Sequence, residues 1–205
     1  MDTYLTLASP AEGRYTEKRS SFLAFVVPCA DEEEARTILA GYRKKYYDAR
    51  HVCWAYRLGT LEVRERANDD GEPSGSAGRP ILGQLVSHGL TGVLAVVVRY
   101  FGGVKLGTGG LCSAYKAAVA DALAAAAVEE RVVSREAEIY VPYADADTAM
   151  RFVREGGGEI TARDYDAGGT RLTVSVRADA FEALCARLSG ILSLRFLNDE
   201  TPATS

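Results

Sequence analysis

One stretch of sequence decides the fold. It consists of Ala67-Asn-Asp-Asp-Gly-Glu-Pro-Ser-Gly-Ser-Ala-Gly-Arg-Pro80, the apolar run Val93-Leu-Ala-Val-Val-Val98, and Arg99-Tyr-Phe-Gly-Gly-Val-Lys-Leu-Gly-Thr-Gly-Gly110. A run that is apolar at every position predicts a central strand covered on both faces. A loop of about a dozen residues inside a compact domain is usually functional or disordered. Because apolar elements flank both glycine-rich loops closely, the pattern favours function.

Helical periodicity continues on either side of this strand. Pro80 suits the first turn of a short helix, whose buried residues are predicted to be Ile81, Leu82, Leu85 and Val86. A longer helix is predicted from about Thr108 to Val128, with an apolar stripe formed by Leu111, Ala114, Tyr115, Ala118, Val119, Ala122 and Leu123. Its last turns, residues 124–127, carry only methyl side chains, which would allow close approach to a sheet.

Upstream of the first loop, Ser21–Val27 has the aromatic and β-branched composition of a strand. Asp31 is placed to cap the helix that follows, with Glu34 in the capping-box position. A hairpin is then predicted from two further strands, Val52–Leu58 and Leu61–Arg66, turned at Gly59-Thr60.

The carboxyl-terminal part follows a different pattern, in the order strand, helix, strand, strand, helix, strand. That order predicts a ferredoxin-like βαββαβ arrangement. We therefore predict an α+β protein with two domains, residues 1–130 and residues 131–205. The polar tail Asn198–Ser205 is predicted to be frayed.

The composition, 47% hydrophobic and 25% charged, is that of a soluble globular protein. The first residues lack the basic and apolar regions of a signal peptide. The longest uncharged run, Pro80–Val98, contains polar residues and glycines and is a poor membrane span. The four cysteines have neither zinc-site nor disulfide-scaffold spacing. We therefore predict a cytoplasmic protein with reduced thiols and no membrane partner.

The net charge of −4 hides an asymmetry between the two parts of the chain. Residues 1–128 carry 15 Lys and Arg against 14 Asp and Glu, whereas residues 129–205 carry 9 against 14. Phosphate binding follows local rather than total charge. If the protein meets a polyanion, the first part is therefore the expected contact.

The second loop contains neither standard nucleotide motif. Its glycines have Walker spacing, yet Thr108 and Gly109 stand where Lys and Ser/Thr are required, and a Rossmann fingerprint fails as well. The loop can still form a general anion site, because backbone amides at the start of a helix bind phosphate or carboxylate groups. Its candidate residues are Arg99, Gly102, Gly103, Lys105, Gly107, Thr108, Gly109 and Gly110. The alternative is that the glycines only permit a tight turn and close helix packing.

The first loop carries a second group of candidates: Asp69, Asp70, Glu72, Ser74 and Arg79. Its three acids offer oxygen ligands for a hard cation such as Mg²⁺. Asp-Gly and Pro-Ser-Gly are also turn formers, and the acids can instead be solvated or pair with Arg79 or Arg99. We favour the turn, because the loop offers only these few oxygen ligands in a row and hard-cation sites usually draw ligands from separate segments. We predict neither a metal nor a cofactor.

Two further groups have a functional and a structural interpretation. The basic and aromatic segment Tyr42–His51 suits a nucleic-acid surface, but cations are also common at a helix carboxyl end. His51 and Cys53 share one face of a strand and could share a metal or act as base and nucleophile. Because the sequence supplies no further ligand or orienting group, we favour the structural interpretation of both.

At the two loops the sequence resembles a known family. Asp69–Pro80 and Val96–Leu111 closely resemble the paired signatures of the IMPACT/YigZ family, in the same order and spacing. The resemblance covers about residues 15–128, and the βαββαβ tail looks like the smaller carboxyl-terminal domain of the bacterial two-domain members. Ser76 stands where threonine is frequent.

The resemblance implies a first domain of the ribosomal-protein and elongation-factor-G domain IV type, followed by a ferredoxin-like domain. Eukaryotic members are linked to translational control through an additional amino-terminal domain, for which residues 1–205 have no counterpart, so their partner binding is not carried over. The family has no agreed catalytic residues, and none is transferred.

We therefore expect a cytoplasmic, non-enzymatic factor that binds RNA or the ribosome and regulates translation, with the two loops as its contact surface. The alternative is an enzyme acting on a small phosphorylated or carboxylated metabolite held at Gly102–Gly110. Its general base would be Asp69, Asp70 or Glu72, which requires both loops to reach one cleft. A module that binds a partner protein is the third hypothesis.

Overall fold

Residues 3–197 are described by the structure, a computed structural model. The chain divides into two units: one is Tyr4–Arg131, and the other is the chain from Val132 onward, with which Thr3 is grouped. The elements of the first part are β1 (Thr3–Leu7), β2 (Ala11–Glu17), β3 (Ser20–Pro28), α1 (Glu32–Lys45), β4 (His51–Leu58), β5 (Arg64–Asn68), α2 (Gly78–Ser87), β6 (Val93–Tyr100), α3 (Gly107–Ala124) and β7 (Val128–Val132). Five strands form one antiparallel sheet in the order β2-β3-β6-β4-β5, and β1 pairs with β7.

Strand β6 is the centre of the five-stranded sheet and is covered on both faces, as predicted. Val93, Ala95 and Val97 belong to the core that includes side chains of α2 and α3. Leu94, Val96 and Val98 belong to a second core, which includes side chains of α1. Alternate residues of one strand therefore hold helices on opposite faces of the sheet.

The start of α1 confirms the predicted cap. The Asp31 carboxylate accepts hydrogen bonds from the backbone nitrogens of Glu33 (2.9 Å) and Glu34 (2.8 Å). The Glu34 carboxylate reaches back to the backbone nitrogen of Ala30 (2.7 Å), one residue before the usual capping-box partner. The acidic first turn and basic last turn of α1 both match the helix dipole.

Helix α3 buries all seven residues of its predicted stripe. The prediction for residues 124–127 is wrong, because α3 ends at Ala124 and a short strand follows. The close approach to the sheet occurs elsewhere, at Gly13 of β2. A Cβ atom there would overlap the backbone nitrogen of Ala122 and lie 2.9 Å from the carbonyl oxygen of Ala118.

Two local predictions in the first part need correction. Strands β4 and β5 do pair, but Leu58 lies opposite Arg64, so the connection is the five-residue loop 59–63 and not a two-residue turn. In α2 the side chain of Val86 is exposed, and Gln84 is buried beside Ile81 and Leu85. The helix is therefore rotated relative to the predicted stripe.

The second unit begins at Val132 and follows the predicted order of elements. They are β8 (Ser134–Pro142), α4 (Tyr143–Glu155), β9 (Glu159–Tyr165), β10 (Gly169–Arg177), α5 (Phe181–Ser189) and β11 (Arg195–Phe196). The sheet order is β11-β8-β10-β9, with antiparallel neighbours, and its core includes side chains of both helices.

The protein is thus a mixed α and β fold with five helices and three sheets in the described part. No helix between residues 3 and 197 is long and apolar enough to cross a membrane. The tail Asn198–Ser205, predicted to be frayed, lies outside the described residues.

Candidate functional site

The first loop begins with a tight turn, and because of this turn the side chains of its three acidic residues point in different directions. The backbone nitrogen of Glu72 donates to the carbonyl oxygen of Asp69 (2.9 Å), which closes a four-residue turn. Both central residues, Asp70 (φ 43°) and Gly71 (φ 86°), have left-handed backbone conformations. Asp-Gly is a preferred pair for such a turn. The three neighbouring carboxylates consequently have three different environments.

Asp69 holds the loop against the start of α2. Its carboxylate accepts hydrogen bonds from the backbone nitrogens of Gly75 (2.8 Å), Ala77 (3.0 Å) and Gly78 (2.8 Å). Burial alone would raise the pKa of Asp69, but these bonds outweigh it and lower the pKa below its usual value. The side chain therefore serves as the helix cap that Ala77 lacks.

We expect Asp69→Asn to reduce the stability of the first unit by about 1 kcal/mol at pH 7, the usual contribution of a helix cap. Because the pKa of Asp69 is lowered on folding, its ionised form stabilises the protein above about pH 4, the pKa of an unfolded aspartate, and this stabilisation is lost as the pH falls. Urea denaturation at several pH values should show that the free energies of unfolding of variant and parent become more similar below pH 4. Glu62→Gln, in the exposed loop 59–63, is the control. A difference independent of pH would contradict the assignment.

Asp70 orients His51. Its carboxylate accepts hydrogen bonds from both terminal nitrogens of Arg43 (2.7 and 3.3 Å) and from the backbone nitrogen of Val52 (2.7 Å). The carbonyl oxygen of Asp70 lies 2.8 Å from Nδ1 of His51. Because a carbonyl oxygen only accepts, Nδ1 carries the proton, and Nε2 is left for another contact.

Glu72 is the acid that points inward. Its side chain is 3% exposed, and its Oε1 accepts a hydrogen bond from Nη1 of Arg99 at 2.5 Å. Nε2 of His51 lies 3.9 Å from the same oxygen. Among the described residues, Nε of Arg99 is buried without a hydrogen-bond partner. Such an unsatisfied donor costs about 1–3 kcal/mol, so it marks a place where an acceptor would be favourable.

Tyr115 and Cys53 complete the polar network behind Glu72. The Tyr115 hydroxyl donates to Oε1 of Glu72 (2.9 Å), and the Cys53 thiol donates to the carbonyl oxygen of Asp69 (3.0 Å). Burial raises the pKa of Tyr115 and raises the pKa of Cys53 to about 12. Both groups therefore stay neutral at pH 7. A neutral, buried thiol is a poor nucleophile, which favours packing as the role of Cys53.

Gly102, the first glycine of the second loop, packs against the backbone of Arg19 and Ser20 and fixes the loop there. The backbone nitrogen of Gly102 donates to the Ser20 hydroxyl (3.1 Å), and a Cβ atom at Gly102 would overlap the backbone of Arg19 and Ser20. Gly103 (φ 88°) and Gly107 (φ 72°) have left-handed backbone conformations. The chain then enters α3, whose N-cap residue Leu106 provides no side-chain hydrogen bond to the first turn.

Both loops reach one cleft with a volume of about 460 Å³. Three segments line it: Arg50 and His51 at the start of β4, Gly71–Pro73 of the first loop, and several residues from Arg99 to the first turn of α3. The lining residues of this third segment are Arg99, Phe101, Lys105, Leu106, Gly107, Thr108 and Leu111. The cleft therefore combines cations, one buried acid, a helix start and an apolar wall.

The predicted candidates divide between this cleft and its supports. Those that line it are Glu72, Arg99, Lys105, Gly107 and Thr108. Those that do not line it are Asp69, Asp70, Ser74, Arg79, Gly102, Gly103, Gly109 and Gly110. No group of three or more His, Cys, Asp and Glu side chains within residues 3–197 is arranged to hold a metal ion.

Sequence reasoning missed part of the cleft. It treated His51 as packing and Tyr115 as a core residue of α3, although the Tyr115 hydroxyl contacts Glu72. It considered Arg50 only within the segment Tyr42–His51, for which it favoured a structural interpretation, and it did not select Phe101. The available signal was that Tyr115 carries the one hydroxyl group in the otherwise aliphatic stripe of α3. A buried hydroxyl requires a polar partner.

The family model for the Impact N-terminal domain matches residues 18–123, about half of the chain. The IMPACT family member YigZ of Escherichia coli (strain K12) is 33% identical over 169 residues, which are 82% of this chain and 83% of that protein. The IMPACT family member YvyE of Bacillus subtilis (strain 168) is 38% identical over 135 residues, 66% of this chain but only 62% of that relative's length. A crystal structure of a hypothetical protein matches with a TM-score of 0.74 and 32% identity over 98% of both chains.

Proposed function

Since this chain belongs to the IMPACT family, we propose that it is a cytoplasmic, non-enzymatic factor that binds RNA or the ribosome and regulates translation. The convergence of the two signature loops on one cleft is the observation that carries this proposal. The translational role follows the resemblance that links eukaryotic members of the family to translational control. The contact surface is the cleft.

The groups around the cleft support contact with a polyanion. Arg50 and Lys105 are exposed, and Arg99 lies deeper. Cations placed in this way neutralise phosphates and make binding dependent on salt. The ring of Phe101 is half exposed, and an exposed aromatic ring is a stacking surface for a base. Basic and aromatic groups therefore occur together where the two loops meet.

We also propose that the two units are the domain types that the family resemblance implies. The antiparallel strand order β11-β8-β10-β9, with two helices packed on the sheet, supports a ferredoxin-like domain at residues 131–205. A five-stranded antiparallel sheet with helices on both faces supports the elongation-factor-G domain IV type for residues 1–130.

Binding of the full chain to a fluorescent oligoribonucleotide and to ribosomes, measured at increasing salt, tests this function. We expect Lys105→Ala and Arg50→Ala to weaken binding and to reduce the slope of log affinity against log salt by about 1 each, the effect of one lost phosphate contact. The matched control is Arg36→Ala, a side chain that is 74% exposed on α1 and does not line the cleft.

Two results would overturn the proposed contact surface. The first is the absence of binding to RNA and ribosomes at low salt. The second is an affinity that Lys105→Ala and Arg36→Ala change equally, because the cleft would then contribute no more than general surface charge. Binding to a ribosomal protein that salt barely alters would instead support the hypothesis of a protein-interaction module.

The arrangement of His51 favours a second candidate, an enzyme acting on a small phosphorylated or carboxylated metabolite. Hydrogen bonding to Asp70 fixes the proton on Nδ1, and Nε2 lies 3.9 Å from Glu72 at the cleft. An oriented imidazole of this kind can act as a general base. Turnover of a panel of phosphate esters and carboxylate esters by the parent, but not by His51→Gln, would support this candidate. Equal turnover by both proteins would exclude His51 as the general base, and the absence of turnover by the parent would count against the enzyme candidate.

A further inference from the structure

We propose that the cleft binds a phosphate monoester that is joined through a sugar to an aromatic base, that is, the terminal phosphate of a nucleotide. This inference deepens the proposed function and rests on it for the view that the cleft meets RNA. Two sources share this chemistry, the 5′-phosphorylated end of an RNA and a free nucleoside monophosphate, and the experiment below separates them.

The charges lining the cleft match a dianion. Three cations, Arg50, Arg99 and Lys105, face one carboxylate, Glu72. These four groups give the cleft an excess of about two positive charges. A phosphate monoester carries about −1.5 to −2 at pH 7, whereas an internal phosphodiester or a carboxylate carries only one negative charge. The monoester is therefore the group whose charge the cleft balances.

Arg99, which lines the cleft, has one buried donor without an acceptor in the described part of the chain. Glu72 holds Nη1 of Arg99, and this contact orients the guanidinium. The Nε donor of the same group has no partner among the described residues. Arginine binds phosphate through paired donors of its planar fork. An anion at this place would supply the missing acceptor.

The start of α3 provides an independent set of donors. Gly107 and Thr108 line the cleft, and the N-cap Leu106 offers no side-chain acceptor. The first turn contains no acidic residue to satisfy its amides. The first amides of a helix carry partial positive charge and are directed away from its body. The helix start and Arg99 can therefore share one phosphate.

The cleft also has an apolar wall, which favours binding of a nucleotide over binding of inorganic phosphate. It is formed by Pro73, Phe101, Leu106 and Leu111 beside the cations. The guanidinium carbon of Arg99 lies 5.7 Å from the ring centre of Phe101, so the stacking surface adjoins the cationic end. The volume of about 460 Å³ is in the range of small-molecule sites. A nucleotide could place its phosphate at the cationic end of the cleft and its base against the apolar wall.

Equilibrium binding of the full chain to matched probes tests this inference. The probes are an oligoribonucleotide with a 5′-phosphate, the same oligomer with a 5′-hydroxyl, a nucleoside 5′-monophosphate, its nucleoside, and inorganic phosphate. We expect each phosphorylated probe to bind about tenfold more tightly than its unphosphorylated counterpart, the effect of one charge-assisted hydrogen bond. Inorganic phosphate should bind more weakly than the nucleotide.

Lys105→Ala is the main variant, because Lys105 is exposed and its removal leaves the core intact. We expect this change to weaken binding of the 5′-phosphate oligomer more than binding of the 5′-hydroxyl oligomer, and so to reduce the preference for the 5′-phosphate. Arg36→Ala should preserve the preference. Equal affinity of the two oligomers for the parent, or an equal loss for both with Lys105→Ala, would overturn the site.

The same measurements separate failure of the site from failure of the proposed function. If RNA binds regardless of its end, the site is wrong and the RNA-binding function stands. If the nucleoside monophosphate binds and RNA does not, the function is wrong and the site stands, with a free nucleotide as its ligand. If the phosphorylated oligomer binds more tightly than the monophosphate, the ligand is an RNA end.

Discussion

Arg99→Ala is expected to lower the free energy of unfolding of the first unit by about 3–5 kcal/mol, the cost of breaking a buried ion pair by removing one partner. The side chains of Arg99 and Glu72 are only 7% and 3% exposed. Without the guanidinium, the Glu72 carboxylate keeps the Tyr115 hydroxyl but loses its ion-pair partner. Urea denaturation followed by the fluorescence of Trp54, the single tryptophan, reports on this unit alone.

Two further variants make this expectation specific. Arg36→Ala breaks an exposed pair with Glu32, and such pairs contribute about 0–1 kcal/mol. The double variant Arg99→Met with Glu72→Met replaces both charges by apolar groups and should be more stable than Arg99→Ala. An Arg99→Ala protein as stable as Arg36→Ala would mean that the pair does not hold the loops together.

Gly102→Ala is expected to destabilise the first unit by about 3 kcal/mol or more, beyond the usual range for added core volume. The new Cβ would overlap the backbone of Arg19 and Ser20, not the tip of a flexible side chain. Lys18 (φ 45°) and Arg19 (φ 65°) form the tight turn between β2 and β3. That turn has little freedom to move, so the second loop would have to shift instead.

Gly109→Ala is the matched control in the same loop region. A Cβ atom at Gly109 would have no other atom within 4 Å, and the residue lies in the first turn of α3. Alanine is favoured over glycine in a helix by about 1 kcal/mol, so this variant should be as stable as the parent or more so. Equal stability of the two variants, by denaturation followed at Trp54, would refute the packing role of Gly102.

Local sequence patterns predicted the helices and the central strand because these elements depend on residues that lie close together in the sequence. The cap at Asp31 depends on residues three positions apart, and the stripe of α3 repeats along one face of a single helix. The same patterns missed β2, which is mostly polar and contains a glycine, Gly13. Its position in the sheet depends on the contact of Gly13 with Ala118 and Ala122, more than 100 residues away.

The candidate site shows the same division. Composition and loop chemistry were sufficient to select Arg99, Lys105 and Glu72, since cations, glycines and acids are visible in the sequence. They could not distinguish Glu72 from Asp69 and Asp70. That distinction arises from the left-handed turn at Asp70 and Gly71, which points one carboxylate at Arg99 and leaves the others to backbone amides and Arg43.

By itself, the sequence determined the family, the central strand and the two glycine-rich loops, because motif spacing and hydrophobic periodicity are properties of the chain read in order. Only the tertiary structure brought the loops to one cleft, added Arg50 and His51 to its lining, and placed the Tyr115 hydroxyl against Glu72 behind it. The physical reason is sheet pairing. β6 lies beside β4, with His51 opposite Arg99, and this register joins residues 48 positions apart in one site.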